Sequence, residues 1–310
     1  MATNRQIINK AGAIQTGNIT HGLLNPEQAR RFIQQTFEAT NLSPLVRHVM
    51  RTAKTGEINK IGIASRIIRA KVENSDDGYR AGVETDVIEY ATKAIRLPWE
   101  ITEEALRENI ERQQMEAIIT DLMTTQLGVD LEDLYLNGDE ETDSSDKDYD
   151  FLKLNDGWVK QILNGGHVYS AKNQSVMSLD IFYKALQALP NKYNNGKLRW
   201  LMSPKRAQEW ELFLFNKVIG EGGAVPESIY SAPAKIKSVE CSAMSDDKII
   251  LTDPQNLAVV NTYDVKLRKT TEGKEAIMQD KRFYVAHLDY DPVIEELDAT
   301  AIITDLPSLS

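Results

Sequence analysis

The 310-residue chain has one cysteine, four histidines and few aromatics, 7% of the total. A lone cysteine, Cys241, excludes an intrachain disulfide and suits a reducing compartment, where it serves as a small core residue. No run approaches the roughly eighteen apolar residues that cross a bilayer. The opening MATNRQIINKAGAIQTGN has no apolar centre of the signal-peptide kind, so neither membrane insertion nor secretion is expected. His21, His48, His167 and His287 are dispersed, and none lies at metal-ligand spacing from a second His or a Cys. There is no G-x-S-x-G elbow. GEGGAVP follows a helical pattern and lacks dinucleotide-loop spacing, and Gly273-Lys274 has no upstream glycine of a phosphate-binding loop. These absences point away from an enzyme, and no catalytic, metal or cofactor residue is assigned.

Charge is unevenly placed. The net charge is −10, yet residues 1–71 hold 11 basic and 3 acidic side chains, a balance of +8. Residues 72–156 hold 24 acidic and 7 basic, a balance of −17. A basic arm on an acidic body can dock on another copy of the chain or face a polyanion such as nucleic acid.

LYLNGDEETDSSDKDYDFLKLNDGWVKQI carries eight Asp and Glu between Asp139 and Asp156. A twelve-residue calcium loop needs a glycine at position 6. Counting from Asp139 places Ser144 there, and counting from Asp146 places Phe151 there. Neither frame works, so the stretch reads as a solvated acidic loop.

The remaining chain divides by texture. Residues 1–24 are polar and aperiodic, and NPEQARRFIQQTFEAT reads as a short helix with Phe32, Ile33 and Phe37 on one side. EINKIGIASRIIRAKV and GVETDVIEYATKAIRL, rich in Ile, Val and Thr, flank the turn around Asp77 and Gly78 and predict a long hairpin closed by Pro98. Such a two-stranded ribbon is marginal alone in water, and its sequence suggests a neighbouring subunit as support. A helix is expected over 102–137, capped by Thr102, with Leu106, Ile110, Ile118 and Leu122 at helical spacing and Gly128 as a possible bend. SLDIFYKALQALP and PKRAQEWELFLFNKV read as helices, with GKLRWLMSP between them as a buried strand. NLAVVNTYDVKLRK, KRFYVAHLDY and ATAIIT read as closing strands. Helices and strands are segregated, so the class is α+β.

In this order, five stretches resemble the major capsid protein of tailed bacteriophages, the Hong Kong 97-type fold. LPWEITEEALREN is similar to that family's entry into its spine helix, and LEDLYLNGDEE to the exit from it. LNDGWVKQI, LRWLMSPKRAQEW and MQDKRFYVAHLDYDPVIEELDATAII resemble the segments that follow, over about residues 25–305 in all. The resemblance implies an N-terminal arm with a short helix over 1–56 and an extended loop over 57–97. It implies a peripheral domain from 98–175 and 262–310, with its spine helix at 102–137, and an apical domain over 176–261.

It further implies a structural subunit that forms pentamers and hexamers and closes into an icosahedral shell around phage DNA, with no cofactor. The implied partners are other copies, a separate scaffold protein, a portal protein and double-stranded DNA bound without sequence preference, but no membrane. The implied location is the virion, after assembly in the host cytoplasm. Under this resemblance Arg51, Lys54, Lys60, Arg66, Arg69, Lys71, Asp77 and Arg80 are the expected inter-subunit contacts of arm and ribbon. Glu103, Glu104, Asp139, Glu140, Glu141 and Asp143 form the expected acidic docking surface, and Gly220, Gly222, Gly223 and Pro226 the loop at the capsomer centre. An encapsulin-type shell around a protein cargo shares the fold and is the alternative. A metal-binding or hydrolytic enzyme is the more distant one.

Overall fold

The structure, a computed structural model, describes residues 14–15, 35–36, 39–63, 67–68, 70, 78–104, 115–221, 232–262 and 266–308. Among the described residues thirteen strands and six α-helices build two sheets and a ribbon. They are β1 (Ile14–Gln15), β2 (Arg47–Met50), β3 (Thr55–Gly62), β4 (Glu84–Ala91), β5 (Lys93–Thr102), α1 (Met115–Asn137), α2 (Tyr149–Leu152), α3 (Trp158–Gly165), β6 (His167–Ser170) and α4 (Leu179–Ala188). There follow β7 (Arg199–Met202), α5 (Pro204–Glu221), β8 (Ser238–Glu240), β9 (Ile249–Thr252), β10 (Leu257–Asn261), β11 (Lys266–Thr270), α6 (Lys274–Gln279), β12 (Lys281–Ile294) and β13 (Ala301–Thr304).

The first sheet is organised by the fourteen-residue β12. One edge pairs antiparallel with β5 from Lys281↔Thr102 to Tyr290↔Lys93. The other edge takes β11 and then β10, and β2 adds parallel to β10. All five residues of β10, LAVVN, are buried, as their unbroken apolar run requires of an interior strand.

The second sheet has the order β6-β13-β9-β7-β8. Its residues alternate between two cores. Leu201, Ile250 and Ile302 face the core shared with α1 and α3, around Tyr135, Trp158 and Ile162. Trp200, Met202, Ile249, Leu251 and Ile303 face α4 and α5, where Phe182 meets Trp200 and Trp210 edge-on at 5.0 and 5.1 Å. Period-two alternation with both faces apolar makes this sheet a buried wall.

Several expectations are corrected. Thr102 is the last residue of β5, paired to Lys281, and directly precedes the helical Glu103, its hydroxyl making no cap bond. Within the expected 102–137 helix, Glu103 and Glu104 are helical and α1 runs from Met115 to Asn137; 105–114 lie outside the described residues. Gly128 does not act as a hinge within this continuous helix. It leaves room for a strap, since a Cβ there would lie 2.4 Å from the Thr36 carbonyl oxygen and 2.6 Å from the Ala39 Cβ.

Among the described residues the paired part of the hairpin is shorter than expected; 64–66, 69 and 71–77 lie outside them. β3 and β4 pair from Thr55↔Ala91 to Gly62↔Glu84, and the chain then breaks at Thr92 into β5. Pro98 does not close the ribbon; it sits within β5 opposite Val285. Proline is tolerated there because β5 has β12 on one side and, among the described residues, meets on the other the two-residue β1 at Ile101 and Thr102, not at Pro98. NLAVVNTYDVKLRK divides into β10 and β11. Ser178 occupies the cap position of α4 without a side-chain bond. Of the short helix expected at 25–40, Gln35 and Thr36 are helical, and 25–34 and 37–38 lie outside the described residues.

Sheet membership cuts across the expected domain limits. Strands at 167–170 and 301–304 join β7, β8 and β9 of 176–261 in the second sheet, while 257–261 joins β12 in the first.

Candidate assembly surfaces

The ribbon stands on its own subunit before any neighbour is considered. Ile58 and Tyr90, 6% and 7% exposed, pack with Ala258, Val260 and Val293 of the first sheet. Gly56 lies close under the Tyr90 ring at this seat, where a Cβ would meet the Tyr90 hydroxyl at 2.8 Å and make that side chain shift. Polar ties surround the apolar seat. The Ala91 amide donates to Asp291 at 2.7 Å, Lys54 pairs with the buried Asp289 at 3.1 Å, and the Thr92 amide donates to the Lys54 carbonyl at 2.8 Å.

Lys60 makes the outermost tie, reaching Asp86 across the ribbon at 3.0 Å, Glu296 at 3.1 Å and the Glu295 carbonyl at 3.1 Å. Burial works against its ammonium, but the hydrogen bonds to Asp86 and Glu296 outweigh it and leave the pKa above the ordinary lysine value. The same bond from Lys60, with the Val87 amide, holds Asp86 below the usual carboxylate range. The expectation of a ribbon with little support from its own chain is thus corrected at its base.

Beyond the seat the ribbon is apolar and open. Ile61, Ile63, Ile68 and Val83 are 70%, 56%, 92% and 65% exposed. Ile61 is in β3, Ile63 and Ile68 follow it and Val83 precedes β4, so aliphatic side chains stand in water on both arms of the ribbon, a pattern expected of a surface awaiting a partner.

The remaining expected contacts are distributed as follows. Arg51 is exposed beside β2, its amide donating to Asn261, and Arg80 is exposed beyond the turn. Arg66, Arg69, Lys71 and Asp77 lie outside the described residues. Gly220 falls within α5, and Gly222, Gly223 and Pro226 lie outside the described residues.

Most of the acidic set is engaged inside the subunit. Glu103 accepts from Arg282 at 2.6 Å. Asp139 and Glu141 share Lys160 at 3.1 and 2.7 Å, and Glu140 pairs with Lys93 at 2.9 Å. The two bonds to Glu141 and Asp139 push the Lys160 pKa up. Glu104 and Asp143 remain exposed; the Asp143 carboxylate accepts from the Ser145 amide at 2.8 Å and is held below its ordinary pKa by that bond.

The acidic loop is therefore an ordered cap with its own turns. The Asp139, Asp143 and Asp146 carboxylates accept from the amides of Glu141, Ser145 and Asp148. Among the described residues no group of three or more His, Cys, Asp and Glu is arranged to hold a metal ion, and no helix is long and apolar enough to cross a membrane. Sequence reasoning missed Asp289, Asp291 and Glu296, which tie the ribbon down. The signal was faint, because the Lys60–Glu296 pair joins residues 236 apart.

No family model matches the chain. In sequence it is 27% identical over 317 residues to a putative prophage capsid protein, YqbE, of Bacillus subtilis (strain 168), across 97% of this chain and 98% of the relative. In fold it is similar to the satellite phage P4 procapsid with its size determination protein: TM-score 0.65 at 14% identity, over 98% of this chain and 95% of the other. It is also similar to the capsid of an empty GTA particle (0.59, 12%, 97% of each chain). A third similar structure is a virus-like particle from Pyrococcus furiosus (0.55, 13%, 89% and 98%). The α+β class and the Hong Kong 97-type capsid architecture expected from sequence agree with these likenesses.

Proposed function

We propose that this chain, which has the capsid fold of tailed bacteriophages, is the repeating subunit of a closed protein shell. Whole-length correspondence carries the reading: the likeness to the procapsid chain covers 98% of this chain and 95% of that one. The function needs no catalysis, because burial of the same interfaces repeated by symmetry drives closure.

In finer detail, the subunit forms pentamers and hexamers that close into an icosahedral shell around double-stranded DNA, with scaffold and portal proteins as assembly partners. Assembly takes place in the host cytoplasm and the product is the virion. Residues 57–97 overlap a neighbour through the exposed aliphatic row of the ribbon. Residues 176–261 form the apical domain, with 220–233 near the capsomer centre, and 98–175 with 262–310 the peripheral domain. Lys54 and Lys60 are engaged within the subunit. Contact between copies therefore falls to Arg51, Arg66, Arg69, Lys71, Asp77 and Arg80, opposite acidic groups such as Glu104 and Asp143. Rim charges of this kind set orientation and association rate more than affinity.

A second reading, a shell around a protein cargo, is favoured by one observation, the likeness to the Pyrococcus furiosus particle. Both readings are tested by sedimentation and negative-stain imaging of the protein expressed alone and with a scaffold, followed by assay of particle contents. Rings or closed shells holding nucleic acid support the phage reading, and shells holding protein support the second. A compact monomer under every condition overturns both.

A further inference from the structure

The N-terminal ends of β7 and β8 gather cations. The two strands run parallel with Trp200 opposite Ser238, and the Trp200 amide donates to the Lys237 carbonyl at 3.0 Å, which sets Lys237 beside Arg199. The Trp200 indole donates to the Pro233 carbonyl at 2.9 Å and draws the 233–235 turn to the same end. In that turn Ala234 and Lys235 take left-handed φ values of 52° and 64°, a conformation that residues other than glycine adopt rarely. Two such residues in succession mark a backbone held for a purpose.

Lys197, Lys235 and Lys237 are exposed and Arg199 half-buried. The Arg199 guanidinium donates to the Leu198 carbonyl at 2.8 Å, and none of the four cations has an ion-pair partner among the described residues. Asp253 follows Thr252, the residue opposite Arg199, and is the one carboxylate placed near this end by the strand register; among the described residues no ion pair joins it to the four cations. Lys192 flanks this end and feels Asp298 and Glu296. Four unpaired cations around two adjacent strand ends repel one another, and an anionic surface laid against them removes that cost.

The complementary surface is on the same chain but at the other end of this sheet. Asn137, at the entrance to the acidic loop, donates to the Ala243 carbonyl at 2.7 Å, and Ala243 lies past the C-terminal end of β8. Asp143 and Asp146 accept from amides of their own loop, Asp143 also from the Ser145 hydroxyl, and with no ion pair among the described residues both keep their charge for a cation. With the basic and acidic ends on opposite sides of one subunit, their pairing joins two copies.

We propose that Lys197, Arg199, Lys235 and Lys237 form a docking surface for the acidic loop 139–150 of a second copy, an inference that rests on the shell reading. The test uses two variants of the full chain, Lys197→Glu/Lys235→Glu/Lys237→Glu and Asp143→Lys/Asp146→Lys. All five positions are at the surface, and circular dichroism checks that both fold. In sedimentation at low salt, each variant alone is expected to associate about tenfold more slowly than the wild type, a gap that narrows at high salt. Mixing the two, which pairs reversed charge with reversed charge, restores the rate.

Wild-type behaviour of the triple variant at every salt concentration, or no rescue on mixing, overturns the docking while leaving the shell reading standing. A triple variant that assembles normally but loses binding of labelled double-stranded DNA assigns the patch to nucleic acid instead, and also overturns it. A wild-type chain that never associates overturns the shell reading, and this inference with it.

Discussion

Arg282 and Glu116 meet at 3.0 Å with the guanidinium only 2% exposed, and the same guanidinium donates to Glu103 at 2.6 Å. Lys269 adds a second cation to Glu116 at 2.5 Å. Two carboxylates and two cations thus share one buried site. It joins β12, β11, the turn after β5 and the start of α1. Trp99 and Tyr284, stacked at 5.2 Å, pack in the adjoining core.

Removing Arg282 leaves two carboxylates with one cation in a place water hardly reaches. Arg282→Ala is expected to destabilise the subunit by about 3–5 kcal/mol. Arg282→Lys, keeping the charge but losing the fork that reaches both acids, is expected to fall between. Urea unfolding of the monomeric chain reads both, and an alanine variant within about 0.5 kcal/mol of wild type contradicts the arrangement.

Gly128 is held small by the strap that crosses it. Gly128→Ala drives a methyl group into the Thr36 carbonyl and the Ala39 side chain, and a loss of about 1–3 kcal/mol is expected. Gly62, on the ribbon, has nothing within 4 Å of its Cβ position, so Gly62→Ala serves as the control with little change. Equal effects at the two glycines would remove the strap from the explanation.

The strap also covers a buried acid. Glu132, 1% exposed, faces the Thr40 hydroxyl and the amides of Leu42 and Ser43 without a hydrogen bond of full geometry, and burial raises its pKa. A carboxyl with a raised folded pKa binds its proton more readily when folded. Its favourable contribution is therefore complete below the unfolded value and is lost as pH rises through the folded one. Glu132→Gln is expected to stabilise the chain at neutral pH, with the difference shrinking on acidification. Thermal melts across pH give the answer, and a difference that grows toward acid reverses the sign.

How much of this was readable beforehand varies by element. Helix α4 and the β7–Pro204–α5 passage are punctuated locally, by Ser178, Pro190 and Pro204, and sequence reading places their ends within about three residues. The break at Thr92 and the survival of β5 through Pro98 depend on β12, some 190 residues away, so nothing near Pro98 announces them. The same distance hides the surfaces. Lys54 and Lys60 look free in sequence, but their partners Asp289 and Glu296 come from the far end of the chain. Glu132 reads as one more polar position on an amphipathic helix until Leu42 and Ser43 close over it.

The two halves of the ribbon are expected to respond differently to substitution. Ile58→Ala, at the seat, is expected to cost about 2 kcal/mol or more and to speed amide exchange in β3 and β4 before β10 and β12. Ile61→Ala, at a site 70% exposed, is expected to leave the monomer unchanged and, under the shell reading, to slow assembly. Loss of monomer stability at Ile61, or normal assembly without it, separates the two halves in the wrong way.

The seat has a mechanical side as well. The paired ribbon is eight residues long, roughly 26 Å at the usual rise, and its grips run from Tyr90, opposite Gly56, through Ile58 to Lys60, two residues short of the end of the pairing. A clamp spread along a beam leaves it little freedom: a pivot of about five degrees at Lys60 moves the end of the pairing, two residues on, by only about 0.6 Å. The contacts at Gly56, Tyr90, Ile58 and Lys60 therefore hold the paired ribbon in one direction, and loosening them together is what would let the exposed side chains beyond it swing.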